Sequence, residues 1–222
     1  MNRSEILLNI MLVMAAIASI LALAFFYQKT QAVDLREQNE VFDLISELRV
    51  IDNRWDFEVQ RARNESGGQP TQINSDAGDK ALRSITGIAQ STTSNVLRAG
   101  LTDLRNEIQL KAELVEKFKV ENNITRDALQ TILKDVAGLE AQPAKRKAKP
   151  IALLQALNQL AAIAPQYYMQ ALGSQRASLE AAANQLRAAP GDWRDITEQI
   201  ENAVQNMLAH RPVEQELFDQ LG

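Results

Sequence analysis

Apolar residues are arranged in two ways along this chain, and the first is a continuous run near the N-terminus. From Ile6 to Tyr27 the sequence carries no charged residue, and only Asn9 and Ser19 interrupt it with polar side chains. At about 1.5 Å per residue, a helix of this length crosses the hydrocarbon core of a bilayer, which is about 30 Å thick. The run therefore predicts an N-terminal transmembrane helix.

Beyond this run, apolar residues recur every three or four positions, which is the spacing of amphipathic helices. The first such stripe lies between Val33 and Glu65, a stretch without Pro or Gly, so we expect the membrane helix to continue directly into it. Alternation of the kind that predicts β-strands is absent. The stripe consists of Phe42, Ile45, Leu48, either Ile51 or Asp52, Trp55, Val59 and Ala62.

Pro and Gly residues divide the remaining chain into helical stretches. Residues 66–70 end the first helix, and the spacing predicts a second helix over residues 76–140. A third follows over residues 150–189, with a kink or interruption at Pro165, and a fourth runs from residue 192 to a stop near Pro212. Four helices with short connections predict an all-α protein, an antiparallel up-and-down four-helix bundle with long helices.

The apolar run and the bundle together suggest three regions. Residues 1–5 are expected to be a short cytoplasmic N-terminus, residues 6–27 the membrane helix, and residues 31–222 an extracytoplasmic domain in the periplasm or outside the cell. The inner membrane is the expected location, and the aromatic residues at 25–27 are typical of a membrane interface. A cleavable signal peptide is the main alternative, but its apolar region is normally only about 7 to 15 residues long.

Composition excludes several classes of function. The net charge of −4 gives no overall attraction to nucleic acid or to anionic lipid. The chain has no cysteine and a single histidine, His210, so disulfide frameworks, iron–sulfur clusters and multi-ligand zinc sites are excluded. Sequence signatures of nucleotide, hydrolase and metal chemistry are missing. We therefore expect no cofactor, no catalytic residues and no bound metal, and we do not expect an enzyme.

Two polar residues stand where the apolar stripes predict apolar ones. Asp52 lies between Leu48 and Trp55, and Asn122 lies in the stripe of the second predicted helix. Polar groups in a bundle core need partners, because an unpaired buried polar group is costly. One interpretation is a buried network that fixes helix register, and the other is a ligand-binding site. With the charged residues at three- and four-residue offsets, the predicted ligand-binding set is Arg49, Asp52, Lys119, Asn122 and Arg126.

Around these positions the chain resembles a known family. The stretch KAELVEKFKVENNITRDAL is similar to the K-x-x-L-V-E-x-F-K-x-x-N-x-x-x-R run of the DAHL family, the double all-helical ligand-binding domain of bacterial sensor histidine kinases. The first helix resembles the family's LR-x-x-D opening, and the last resembles its closing H…P-x-V segment. The residues that carry the resemblance are Leu48, Arg49, Asp52, Val59, Arg63, Lys111, Leu114, Val115, Glu116, Phe118, Lys119, Asn122, Arg126, His210, Pro212, Val213 and Leu217.

The resemblance implies an extracytoplasmic sensory domain that binds a small-molecule ligand and feeds a signal-transduction system. No kinase or connector sequence follows the bundle, so we expect the signal to pass through a protein partner such as a histidine kinase or a chemoreceptor. Association of two copies into a homodimer is left open. The alternative function is a structural or adaptor protein of the cell envelope that docks other proteins.

Overall fold

The computed structural model describes the backbone of residues 3–65, 76–92, 94–141, 150–189 and 193–221; side chains are described for the same residues except 3–18, 28–37, 140–141 and 196. Within these ranges the chain is helical and contains no strand, which confirms the all-α prediction. The helices are α1 (Arg3–Asn64), α2 (Asp76–Ser91), α3 (Asn95–Ala141), α4 (Ile151–Gln170), α5 (Gly173–Arg187) and α6 (Arg194–Leu221).

The chain forms two compact units, and α1 and α3 each contribute to both. Unit 1 consists of Met1–Arg49 and Ala81–Arg105, and unit 2 of Val50–Lys80 and Asn106–Gly222. The buried apolar side chains of unit 1 come from α1, α2 and the beginning of α3. They are Leu44, Leu48, Ala81, Ile85 and Leu101.

Unit 2 has a large apolar core to which α3, α4, α5 and α6 contribute. Burying one large aliphatic side chain is worth about 1.5–3 kcal/mol, so this core is the main source of the unit's stability. Its fully buried members include Leu129 and Ile132 of α3, Leu157 and Leu160 of α4, Leu179 and Leu186 of α5, and Ile200, Val204 and Met207 of α6.

Within unit 2, α1 and α3 run in the same direction. Asp52 of α1 contacts Lys111 of α3, and ten residues further along α1 the carbonyl of Ala62 contacts Asn122. Residue numbers therefore rise together along the two helices. This parallel arrangement is what an up-and-down connection through α2 produces.

In contrast, α6 runs antiparallel to α3. Asn122 contacts Glu214, whereas Phe118, earlier on α3, packs near Phe218, later on α6. The prediction that the last helix stops near Pro212 was wrong, because α6 continues through this proline. Arg211, before Pro212, and Glu214, two residues after it, are buried, and their packing offsets the backbone hydrogen bond that proline cannot donate.

The second predicted helix is in fact two helices, α2 and α3. α2 ends at Ser91 and α3 begins at Asn95, and the side-chain oxygens of Thr92 and Ser94 accept hydrogen bonds at this break. Ser94 Oγ accepts a hydrogen bond from the backbone N–H of Leu97 at 3.3 Å, and Thr92 Oγ accepts one from the N–H of Ser94 at 3.2 Å. Ser94 therefore acts as the N-cap of α3, a role for which serine is well suited.

The third predicted helix is also divided, but not at Pro165. Pro165 lies inside α4, and the helix ends at Gln170. Ala171 then adopts a left-handed conformation with φ of 51°, and its N–H bonds to the carbonyl of Tyr167. This ending turns the chain into α5, so the four predicted helices correspond to six.

The apolar stripe of α1 is shifted from its predicted position. Leu44 is buried, whereas Phe42 and Ile45 are exposed. Ile51 fills the core position for which Asp52 was the alternative, and the Asp52 side chain is 45% exposed. Asp52 therefore is not a polar interruption of the core.

Among the residues that the structure describes, no helix is both long enough and apolar enough to cross a membrane. Residues 1 and 2, and the side chains of residues 3–18, lie outside this description. The membrane helix over residues 6–27 therefore stays a prediction.

Candidate functional site

A group of polar side chains is buried in unit 2 between α3, α4 and α6. We call Asn122, Arg126, Tyr168, Arg211 and Glu214 the buried polar cluster. Arg211 and Glu214 are completely buried, and the other three are at most 3% exposed. Charged residues are rarely buried to this degree without partners, so each needs a physical account.

Asn122 links the cluster to the end of α1. Its Nδ2 lies 3.1 Å from Glu214 Oε1, 3.3 Å from the carbonyl oxygen of Ala62 and 3.4 Å from Tyr168 Oη. The Tyr168 hydroxyl donates toward the carbonyl of Glu65 at 3.3 Å. Carbonyls in the last turn of a helix have no intrahelical partner, so the cluster satisfies the C-terminal end of α1.

Arg211 performs a similar role for α4. Its Nε donates to the backbone carbonyl of Tyr168 at 2.7 Å, and this carbonyl belongs to the last turn of α4. A cation at a helix C-terminus also interacts favourably with the helix dipole. The same guanidinium lies 3.3 Å, through Nη1, from Glu214 Oε1.

Several atoms of the cluster are buried without a hydrogen-bond partner among the residues described. These atoms are Arg211 Nη1 and Nη2, Glu214 Oε2 and Arg126 Nε. An unsatisfied buried polar atom costs about 1–3 kcal/mol, and more when the group is charged. The cluster therefore has unused capacity to donate hydrogen bonds and to accept them.

Positive charge exceeds negative charge in this region. The buried polar cluster holds two arginines, Arg126 and Arg211, and one carboxylate, Glu214; Asp127, which pairs with Arg126 at 3.9 Å, is 73% exposed. Burial lowers the pKa of Arg63, and the charge of Arg211 lowers it further, although Glu214 acts in the opposite direction. Burial likewise raises the pKa of Tyr168, as does Glu214, while Asn122 and the nearby arginines oppose the shift.

The predicted ligand-binding residues are not all in one place. Asn122 and Arg126 belong to the buried polar cluster, and Arg126 donates to Asn123 at 2.8 Å. Lys119 is half-buried and pairs with Glu116 at 3.3 Å on its own helix. Asp52 pairs with Lys111, and Arg49 is an exposed residue of unit 1.

Lys111 forms a second polar site in unit 2. Its Nζ lies 2.5 Å from Asp52 and 2.8 Å from Asp56, two carboxylates one turn apart on α1. Burial lowers the pKa of Lys111, but hydrogen bonds to Asp52 and Asp56 outweigh this effect and hold it above the usual value. Lys111 therefore stays charged and joins α3 to α1.

Arg211, Glu214 and Tyr168 were not among the predicted site residues. The last helix was expected to stop near Pro212, which placed Glu214 beyond its end. A signal was nevertheless present, because Arg211 follows the buried positions Val204 and Leu208 at helical spacing. A charged residue in that register is as informative as Asn122.

Unit 2 also contains a groove between α1 and α6. It has a volume of about 180 Å³ and is lined by Asp56, Val59, Gln60, Phe218 and Leu221. Arg63 stacks on Phe218 with its guanidinium carbon 4.0 Å from the ring centre. The charges of Arg211 and Glu214 act on the pKa of Arg63 in opposite directions, so Arg63 is electrostatically coupled to the buried polar cluster.

Unit 1 contains a groove of its own between α1 and α2, with a volume of about 400 Å³. Acidic and apolar side chains of α1 face small residues of α2 across it. No group of three or more His, Cys, Asp or Glu in the described part of the chain is placed to hold a metal ion. The lining residues are Glu40, Asp43, Leu44, Glu47, Ser84, Gly87, Ile88 and Ser91.

Buried titratable groups with unusual surroundings concentrate at functional sites, so the buried polar cluster is the candidate site of this all-helical chain. The DAHL domain model matches residues 33–222, and the chain belongs to the DAHL domain family. This is a family of helical, extracytoplasmic sensor and ligand-binding domains, and it is not an enzyme family. Comparison with curated proteins gave no significant match, and comparison with solved structures gave none either.

Proposed function

We propose that the chain is a membrane-anchored, extracytoplasmic sensory domain that responds to a small-molecule ligand at the buried polar cluster. The observation that carries the proposal is Arg211: both terminal nitrogens are buried without a hydrogen bond to any described residue, and Nη1 has only the ion pair with Glu214 at 3.3 Å. Apolar residues of similar volume often stabilise a core as well as a buried ion pair does. A binding role accounts for charges that stability alone does not require.

The cluster is placed where a ligand can change helix packing. Its side chains contact the carbonyl of Ala62 on α1 and of Tyr168 on α4, and they come from α3, α4 and α6. A ligand that binds one arrangement of these helices more tightly than another shifts the population toward it. We propose that α1, which carries the predicted membrane span, transmits this change.

Membrane anchoring is supported by the exposed apolar side chains near the start of α1. They lie at the C-terminal end of the uncharged run of residues 6–27, and water is an unfavourable surrounding for so many of them. Lipid would cover them. The exposed residues, each between 62% and 70% accessible, are Ile20, Leu21, Leu23, Phe25, Phe26 and Tyr27.

The topology is tested by thiol labelling, since the chain has no cysteine of its own. We expect a membrane-impermeant thiol reagent to label Gln109→Cys in intact cells and to leave Asn2→Cys unlabelled until the cells are lysed. Labelling of both variants in intact cells, or sequencing that finds a mature N-terminus beyond residue 27, would contradict the anchored topology.

Ligand binding is tested by thermal unfolding of the full chain, purified in a mild detergent, against amino acids, organic acids, polyamines and aromatic metabolites. A ligand that binds only the folded state raises the unfolding midpoint. At a ligand concentration of one hundred times Kd, the free energy of unfolding increases by about 2.7 kcal/mol. We expect Asn122→Ala to reduce this shift. The control Arg105→Ala, at an exposed residue of unit 1, should leave it unchanged. No shift with any compound contradicts a ligand-sensing role.

A transducer partner such as a histidine kinase or a chemoreceptor is part of the proposal. Photo-crosslinking from α1 in native membranes should capture a membrane protein of one of these classes, and ligand should change the yield. If thermal unfolding has established a ligand but this ligand does not change the cross-linking yield, the chain binds the ligand without passing a signal to the captured protein.

A second candidate function is an adaptor that docks another protein or a second copy of itself. It is favoured by Val50 and Phe57, which are 67% and 65% exposed on α1. They are seven positions apart, which is about two helical turns, so they share one face of α1. Under mild oxidation, Phe57→Cys should form a disulfide-linked dimer and Glu113→Cys should not. Equal cross-linking of the two variants would argue against a homodimer through this face.

A further inference from the structure

The free donors of Arg211 point to the chemistry of the ligand. Its Nε is already bonded to the carbonyl of Tyr168 at 2.7 Å, and this bond fixes the plane of the guanidinium. Both terminal nitrogens are buried without a hydrogen-bond partner among the described residues. A guanidinium held in this way presents two parallel N–H groups, and a carboxylate is the acceptor whose two oxygens match them.

Glu214 requires a hydrogen-bond donor on the ligand, whereas Arg211 requires an acceptor. Its Oε1 is 3.3 Å from Arg211 Nη1 and accepts from Asn122, whereas its Oε2 is buried and has no donor among the residues described. An ionised carboxylate only accepts hydrogen bonds. A ligand that satisfies Oε2 must therefore carry a donor, and the donor must stand close to the group that binds Arg211.

The charges agree with an acidic ligand. Two buried arginines, Arg126 and Arg211, share the cluster with one buried carboxylate, Glu214. Arg126 also pairs with Asp127 at 3.9 Å, but Asp127 is 73% exposed, and Arg126 Nε is buried without a hydrogen-bond partner among the described residues. A ligand carboxylate would neutralise the remaining positive charge. A purely cationic ligand would add to it, which is unfavourable where solvent is excluded.

We propose that the buried polar cluster binds small organic acids that carry an amino or hydroxyl group on the carbon next to the carboxylate. The ligand carboxylate accepts from Arg211 Nη1 and Nη2, and the neighbouring group donates to Glu214 Oε2. This inference rests on the proposed sensory function, and it goes further by naming the chemical class of ligand and the atoms that select it.

Access to the cluster requires α6 to move. Arg211 and Glu214 are fully buried, and Pro212 stands between them. Proline has no N–H, so the carbonyl of Leu208 loses its usual helical partner and the helix is held by one hydrogen bond fewer at this point. The groove lined by Phe218 lies on the α1 side of this segment. Ligand binding is thereby coupled to the packing of α6.

The test is calorimetric titration of the full chain in mild detergent with two matched sets of probes. One set is alanine, lactate, propionate and ethylamine; the other is phenylalanine, phenyllactate, phenylpropionate and phenethylamine. In at least one set, the amino or hydroxy acid should bind about tenfold more tightly than the plain acid, because it makes one more bond to a charged group. The amine alone should not bind.

A pair of isosteric variants then tests the assigned atoms. Glu214→Gln should reduce the preference for the amino or hydroxy acid over the plain acid to about onefold, since the ionised acceptor is gone. Glu201→Gln is the control, because Glu201 is a buried carboxylate of the same helix that pairs with Arg187 at 3.3 Å. This control should keep the preference. Circular dichroism establishes that both variants are folded.

Each outcome is decisive for one of the two proposals. If neither set contains a binding acid, the ligand class is wrong and water is left as the partner of Arg211; a midpoint shift with a polyamine would still support sensing. If the acids bind but Glu214→Gln and Glu201→Gln behave alike, the assignment to Glu214 is wrong. If no compound of any class shifts the midpoint, the sensory function itself fails.

Discussion

Arg211 and Glu214 lie three residues apart on α6, with Nη1 and Oε1 separated by 3.3 Å and both side chains completely buried. Neither charge is in contact with solvent, so each depends on the other and on the polar groups around them. Their attraction is strong in this surrounding, but so is the cost of removing both from water. The pair is therefore sensitive to the loss of one member and tolerant of the loss of both.

Removing Arg211 alone should be costly. We expect Arg211→Met to reduce the free energy of unfolding by about 3–5 kcal/mol, because Glu214 is left as a buried charge without its cation. The double variant Arg211→Met/Glu214→Leu should recover much of this loss. Urea unfolding followed by circular dichroism measures both. A double variant as unstable as the single one would mean that the bond from Arg211 to the carbonyl of Tyr168 dominates.

Lys111 should contribute less, because its partners are partly exposed. Lys111→Met leaves Asp52 and Asp56 facing each other one turn apart, and their side chains are 45% and 44% exposed. We expect a loss of at most about 1 kcal/mol that shrinks at high salt. Adding Asp52→Asn should restore part of it. A salt-independent loss would mean that packing of the lysine stem, and not its charge, is responsible.

Ala171 offers a route to higher stability. Its φ of 51° is left-handed, a conformation that costs a residue with a Cβ about 1–2 kcal/mol. Ala171→Gly should therefore raise the free energy of unfolding by about 1 kcal/mol. Ala188 ends α5 with a φ of −82°, so Ala188→Gly relieves nothing and should be neutral or destabilising. Equal effects of the two substitutions in urea unfolding would contradict this account.

The buried tyrosines should make the protein less stable at alkaline pH. Burial raises the pKa of Tyr167 and of Tyr168 above the usual 10.0. Their neutral forms contribute stability that is complete below about pH 10 and is lost as pH rises through the raised values. Tyrosinate absorbance and circular dichroism should change together in this range. In Tyr168→Phe the alkaline loss should be smaller; an unchanged loss would assign it to other groups.

Helix periodicity predicted the all-α class because it depends only on local spacing. The helix ends were harder to predict, since the break at Ser94 depends on side-chain caps and the left-handed Ala171 leaves no mark in composition. Asn122 was recognisable as a polar residue in an apolar stripe. Arg211 stands in the same kind of register, but its partners and those of Glu214 come from α3 and α4, which are distant in sequence, so their grouping could not be predicted. Local patterns cannot reveal such contacts.

Lys111 stands opposite two carboxylates, Asp52 and Asp56, spaced by one turn of α1. A one-turn axial displacement of α1, about 5.4 Å, would still leave the ammonium beside one of them. The bond from Asn122 to the carbonyl of Ala62 has no such replacement and would break. The ion pair of Lys111 can therefore form again after α1 has moved by one turn. The hydrogen bond of Asn122 forms in one register of the two helices only.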